Sequence, residues 1–154
     1  MGREKMKIKR SILFLCVVLF CAVAGKLEAE ERFVFLGKNN LGSLFYLDKE
    51  TVRREGARVR FWIKVIPSSG QLQDALETIR DPQIRKHRDD IDYAMDLNLM
   101  DMQRRALKTE LTLFYLKDGT SLRYHQRPIW EPVVPGTMGE IFHQILTSWI
   151  EKES

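Results

Sequence analysis

The sequence predicts an α+β domain: a single, mostly antiparallel sheet of about six strands, with a middle helix and a C-terminal helix packed on the sheet. Three observations carry this prediction. Arg58 to Ile66 alternates apolar and polar side chains and is rich in β-branched and aromatic types, the pattern of a strand with one buried face. Lys117-Asp118-Gly119-Thr120 separates two strand-like runs, and Asp-Gly is the strongest short hairpin signal. Finally, Thr137-Met138-Gly139-Glu140 precedes Ile141, Phe142, Ile145, Leu146 and Trp149, whose spacing makes one helical stripe.

The elements follow in order. Phe33-Val34-Phe35-Leu36 is a short apolar strand stopped by the turn composition of Gly37-Lys38-Asn39-Asn40. Ser43 to Leu47 is a second strand, ended by Asp48-Lys49. In the third, Val59, Phe61, Ile63 and Val65 point one way while Arg60, Trp62, Lys64 and Ile66 point the other, until Pro67-Ser68-Ser69-Gly70 stops it. From Gln71 the period changes. Leu72, Ala75, Leu76 and Ile79 share a helical face, with Ser68 or Ser69 available as a cap. Asp81-Pro82 interrupts this helix, because proline disfavours helical geometry in the residue before it, and a second short turn runs through Ile84.

Tyr93, Met95, Leu97 and Leu99 then alternate with Ala94, Asp96 and Asn98 as a strand. Leu107, Thr109, Leu111, Leu113 and Tyr115 are expected on one face of the next, which the Asp118-Gly119 turn joins to Ser121–Gln126. At the start of the closing helix, the Thr137 hydroxyl is expected to accept the Glu140 amide and the Glu140 carboxylate the Thr137 amide.

The N-terminus reads as an export signal. Met1 to Arg10 holds five basic residues against Glu4, an apolar run extends from Ile12 to Ala24, and Ala22-Val23-Ala24 supplies the small-x-small cleavage pattern. The expected organisation is a signal peptide over 1–24, a short polar leader over 25–31 and a domain over 32–154. The apolar run is shorter than the about 20 residues of a membrane span, so none is expected after cleavage. Five of the 25 Lys+Arg and one of the 21 Asp+Glu fall in the signal, leaving equal numbers of each. A mature chain without net charge has no global attraction for nucleic acid, and no nucleic-acid partner is expected. Cys16 and Cys21 both lie in the apolar run, and Phe20 occupies a position where a lipoprotein signal wants a small residue. Mature protein would therefore carry no thiol, hence no disulfide, thiolate metal site or cysteine nucleophile.

The inventory of reactive groups is sparse. His87, His125 and His143 fall in no metal-ligand spacing, and the sequence has no nucleophile elbow, phosphate-cradling glycine loop or dinucleotide fingerprint. Asp89, Asp90, Asp92, Asp96 and Asp101 lack the glycine and spacing of a calcium loop. No catalytic, metal-binding or cofactor-binding residue is assigned, no cofactor is implied, and an enzyme is not expected. Candidates for partner contact are the basic stretch Arg80, Arg85, Lys86 and Arg88, whose field Asp81, Asp89 and Asp90 dilute, together with the aromatic Trp62. A solvated helix face and a packing role, respectively, are the plainer readings of these residues.

Three stretches then combine: Phe33-Val34-Phe35-Leu36-Gly37 through Ser43-x-x-Tyr46-x-Asp48 and Val59-x-Phe61-Trp62-x-Lys64; Tyr115-x-x-Asp118-Gly119; and Trp130-Glu131-Pro132-Val133-Val134-Pro135-Gly136-Thr137. In this order and spacing they resemble the surface-adhesin protein E family of Gram-negative bacterial envelopes. The resemblance implies an antiparallel sheet with the C-terminal helix on its concave side, and residence in the periplasm or on the outer cell surface. It also implies adhesion to extracellular-matrix or other envelope proteins, and leaves a homodimer open. Family members typically carry cysteines near the positions of Met102 and Thr147. Both are missing here, so apolar packing by Ile141, Phe142, Ile145 and Leu146 must hold the helix. The alternative function is a periplasmic small-ligand-binding or sensory module that uses the concave sheet face, with Trp62 lining it.

Overall fold

A computed structural model describes residues 32–153. The expected signal peptide and leader, with Cys16 and Cys21, lie outside the described residues. Those described form β1 (Phe33–Lys38), β2 (Leu44–Glu55), β3 (Arg58–Ile66), α1 (Ser69–Thr78), α2 (Pro82–Lys86), β4 (Ile91–Asp101), β5 (Ala106–Leu116), β6 (Ser121–His125), the two-residue β7 (Glu131–Pro132) and α3 (Met138–Glu153). The strands make one antiparallel sheet in the order β1-β2-β3-β4-β5-β6, with β7 on β5 at Ala106 and Leu107. This is the α+β arrangement that the sequence predicts. No described helix is long and apolar enough to cross a membrane.

Alternation in β3 sets the two faces of the sheet. Val59, Phe61, Ile63 and Val65 are buried. Strand register carries this face sideways: Phe45, Val65, Ala94, Phe114 and Leu122 form one row across five strands, and Leu47, Ile63, Asp96, Thr112 and Tyr124 the next. The helices supply the other wall. Leu76, Ile79, Ile84, Phe142 and Leu146 are buried in the same cluster, and Leu72, Ile145 and Trp149 pack against it. The Phe142 ring lies 6.2 Å from that of Phe45 and 6.0 Å from that of Phe61, the latter edge-on. Burying each such large side chain contributes about 1.5–3 kcal/mol, so α3 is held chiefly by its stripe. A second tie runs from His143 Nε2 to the Met102 carbonyl, 3.4 Å away in the β4–β5 turn.

Three local expectations are corrected. Asp48-Lys49 does not end β2, which continues to Glu55 through an irregularity between Asp48 and Arg53. Thr51 makes this continuation work: its hydroxyl donates to the Asp48 carbonyl at 2.7 Å and accepts the Trp62 amide at 3.1 Å, so one side chain replaces broken ladder bonds. Second, the Leu107–Tyr115 series does not keep to one face. Leu97 pairs with Leu111 but Asn98 with Thr109, and the extra residue Glu110 flips the alternation. Leu107 and Thr109 therefore turn towards the helices, while Leu111, Leu113 and Tyr115 turn away. Register also decides the faces of β4, which alternation leaves open: Ala94, Asp96, Asn98 and Met100 face inward, opposite Val65, Ile63, Phe61 and Val59, and Met95 and Leu97 face outward.

The third correction is the α3 cap. The tight turn at Gly136 (φ 78°) places the Thr137 amide on the Val134 carbonyl, to which the Thr137 hydroxyl also donates. The Glu140 carboxylate then accepts the Gly136 amide at 2.8 Å instead of that of Thr137. Asp118-Gly119 behaves as the hairpin reading requires. Gly119 adopts φ 85°, and Asp118 Oδ1 accepts both the amide and the hydroxyl of Thr120, which holds its carboxyl below the usual range.

Candidate binding surface

The outward face of the sheet carries an apolar belt that the helices leave uncovered. Its rows follow from register: Tyr46, Lys64, Met95, Leu113 and Arg123 form one; Asp48, Trp62, Leu97, Leu111 and His125 the next; and Arg60, Leu99 and Lys108 a third. Trp62, Met95, Leu97, Leu111 and Leu113 are half-buried and belong neither to the core cluster nor to the side chains packed against it. Five large, half-buried apolar side chains thus sit together on this face, beside the buried Asp48 and Leu99. Solvated antiparallel sheets ordinarily place polar residues there, so this belt is more apolar than one covered face requires.

Aromatic rings and ordered cations border the belt. At one end Tyr93 and Tyr115 stack with centroids 4.6 Å apart. Lys64 Nζ lies 4.2 Å from the Tyr93 centroid and 5.5 Å from that of Phe33. Each such contact is worth about 0.5–1 kcal/mol at an exposed site and holds the ammonium in place. Burial, followed by the neighbouring Tyr115 and Asp92, pushes the Tyr93 hydroxyl pKa up. At the other end Arg60 bridges Glu55 and Glu110, each at 3.1 Å, and Lys108 meets Glu110 at 2.9 Å. Arg58 and Lys108 stand 5.4 and 5.1 Å from the Trp130 ring centroid.

The inward face holds a polar chain between β4, β5 and the residue after β6. Thr112 Oγ1 donates to Asp96 Oδ1 at 2.6 Å and accepts from Gln126 Nε2 at 3.0 Å, while Thr109 Oγ1 donates to Asn98 Oδ1 at 2.8 Å. Burial raises the Asp96 carboxyl pKa to about 6, against the opposing hydrogen bond from Thr112.

The residues singled out from sequence do not converge. Trp62 lies at the β3 edge of the belt, on the face away from α3, and so does not line the helix-covered side. The basic stretch belongs to the α1–α2 segment, whose Leu76, Ile79 and Ile84 pack on the other face. Arg85 turns back onto α1: its Nε donates to the Ile79 carbonyl at 2.9 Å, and one terminal nitrogen reaches the Leu76 and Glu77 carbonyls at 3.4 Å. It thereby satisfies carbonyls that the end of α1 leaves unpaired. Arg85 and Arg88 line a cleft of about 390 Å³ with Gln73, Leu76 and Glu77; Arg80 and Lys86 are exposed and do not line it. Asp81 caps α2, accepting the Gln83 amide at 2.8 Å. We predict that Arg85→Ala will raise amide exchange rates through Leu76–His87 while leaving the sheet protected, as hydrogen-exchange mass spectrometry can measure.

Of this surface, sequence reading singles out Trp62 alone; Lys64, Tyr93, Met95, Leu97, Leu111 and Leu113 are among those it misses. The available signal was β4 and β5 carrying apolar residues on both faces, more than one core face requires.

No protein-family model matches the chain, and no curated protein matches it. Solved structures match in fold. Crystal form II of Haemophilus influenzae protein E aligns with a TM-score of 0.52 at 18% identity, over 76% of this chain and 87% of that one. The structure of protein E from non-typeable Haemophilus influenzae aligns with a TM-score of 0.51 at 18% identity, over 76% of each chain. A further structure of Haemophilus influenzae protein E gives 0.50 at 16% identity, over 76% and 84%. This chain has the protein E fold. Within that fold, the strand series from β1 to β6 and the closing α3 are the elements that create one covered and one open sheet face.

Proposed function

We propose that this chain is an exported, non-catalytic envelope protein of a Gram-negative bacterium that binds protein partners, in the manner of an adhesin, through the open face of its sheet. The observation that carries this reading is the uncovered belt of Trp62, Met95, Leu97, Leu111 and Leu113 bordered by ordered cations. The protein E fold and the signal-like N-terminus support it. Its organisation is then a signal peptide over 1–24, a leader over 25–31 and a binding domain over 32–154. Mature protein titrated over immobilised extracellular-matrix proteins should show saturable binding at micromolar concentration. Absence of saturable binding to every matrix protein removes the adhesin reading.

N-terminal sequencing of protein from the envelope fraction should begin at Gly25, and recovery of Met1 would contradict cleavage. A small-ligand module is the second reading. It is favoured by two clefts of about 390 Å³, one at Arg85 and Arg88 and one between Lys38–Leu41 and the start of α3. Native mass spectrometry of protein purified from cells separates the two, since a retained small molecule selects the second.

A further inference from the structure

We infer that the open sheet face is shaped for an acidic amphipathic helix of a partner protein, lying along the strands with its apolar stripe on the Trp62 belt and carboxylates at both ends. This inference rests on the protein-binding reading and names the partner's chemistry. Strand register fixes the pattern to be matched. Lys64 and Arg123 stand in the row on one side of Trp62, Leu97 and Leu111; Arg60 and Lys108 stand in the row on the other, with Arg58 beyond them. Lys64 and Arg60 are separated along β3 by four residues, about 13 Å. A helix with acidic residues at i and i+7 spaces them about 11 Å apart, within side-chain reach of both rows. Positions i+3 and i+4 then lie on the same side and meet the belt, the usual way an amphipathic helix lies in an apolar groove.

Charge decides between this occupant and others. Six cations (Arg53, Arg58, Arg60, Lys64, Lys108, Arg123) share this face with four carboxylates (Asp48, Glu55, Asp101, Glu110). Of these, Glu55, Asp101 and Glu110 pair with Arg60, Arg58 and Lys108, so the surface keeps a small positive excess, with Lys64 and Arg123 at one end, although the mature chain as a whole is balanced. A second copy seated on the same face would oppose like charges across a two-fold axis, which disfavours it. An acidic glycan or a nucleic acid would satisfy the cations but carries charge along its whole length and leaves the five apolar side chains in contact with polar groups. The aromatic rings also hold Lys64 in place before binding, which lowers the ordering cost on association.

Three synthetic 14-residue helical peptides test the inference by isothermal titration against the mature protein. One carries Glu at its third and tenth positions with Leu at the sixth and seventh; the second replaces both Glu with Lys; the third replaces both Leu with Ser. The acidic apolar peptide should bind saturably, and the other two should bind at least tenfold more weakly. Lys64→Glu and, independently, the exposed-edge variant Arg123→Glu should each weaken the acidic peptide at least threefold and strengthen the Lys peptide. Equal affinity for the Glu and Lys peptides overturns the inference. So does tighter binding of a heparin oligosaccharide or single-stranded DNA, or a dimer in sedimentation that Trp62→Ser dissolves. If no peptide binds while matrix proteins still do, this inference falls and the broader reading stands. If the acidic peptide binds and matrix proteins do not, the adhesin reading falls alone.

Discussion

Leu146→Asp is expected to unfold the domain or release α3 from the sheet. Leu146 is completely buried in the middle of the α3 stripe, between the turns that carry Phe142 and Ile150. The substitution removes a side chain whose burial is worth about 1.5–3 kcal/mol and leaves an unpaired carboxylate in an apolar site. A domain of this size has about 5–15 kcal/mol in total, so the combined loss consumes much or all of it. Ile145→Asp, on a partly buried neighbour, should cost less, and the exposed Gln144→Asp should cost about nothing. Urea melts of the three variants check this order. A Leu146→Asp protein that melts like wild type would show that the helix stripe does not hold the fold. Reducing agent should leave the melting temperature of the processed protein unchanged, because both cysteines precede Gly25.

Asp96→Asn should stabilise the protein near neutral pH by up to about 3 kcal/mol, the equivalent of a shift of about two pH units. The native carboxyl titrates at about 6 and the unfolded one at the ordinary 3.8, so the folded state holds its proton more tightly between those values. Stability from this group is fully present below about pH 4 and is lost as pH rises through about 6. Above that, the native protein carries a charge that only the Thr112 hydroxyl supports. Asparagine keeps an acceptor for Thr112 without the charge. Unfolding free energies at pH 4 and pH 7.5 should therefore differ by less in Asp96→Asn than in wild type. An unchanged difference would place the pH dependence elsewhere.

Elements governed by burial on one face were legible in the sequence. The β3 alternation, the α1 face at Leu72, Leu76 and Ile79 and the α3 stripe at Phe142, Ile145, Leu146 and Trp149 match the core and its packed border, while Ala75 and Ile141 lie outside both. Pattern alone does not decide the core face where both faces of a strand are apolar. In β4 the bulky Met95 and Leu97 outweigh Ala94 and Asp96 by pattern, yet register with Ile63 and Val65 turns the small and polar residues inward. Two irregularities, between Asp48 and Arg53 and at Glu110, have no glycine to announce them, so β2 was cut short and β5 was given a single face. The Glu140 cap shifted by one residue because the Gly136 turn took the Thr137 amide first. Of the candidate surface, Trp62 was visible as an aromatic in a strand. Its neighbours come from β1, β4, β5 and β6, and only strand pairing brings Lys64 between Phe33 and Tyr93. The basic stretch misled for a related reason, since the role of Arg85 depends on carbonyls six to nine residues earlier in the chain.

Binding through the open sheet face is tested most directly by comparing Trp62→Ser with the double variant Arg80→Glu/Lys86→Glu. Each is titrated against a matrix protein that captures the wild type, after circular dichroism has shown both variants folded. Trp62 is the aromatic of the belt, at its β3 edge, and Arg80 and Lys86 are exposed on the segment that packs on the other face. Tryptophan anchors at an interface commonly cost about 2 kcal/mol or more when truncated, so Trp62→Ser should weaken binding by about thirtyfold. The Arg80→Glu/Lys86→Glu protein should bind like wild type. Loss of binding in the double variant with Trp62→Ser unaffected would contradict the account and move the binding site to the α1–α2 segment.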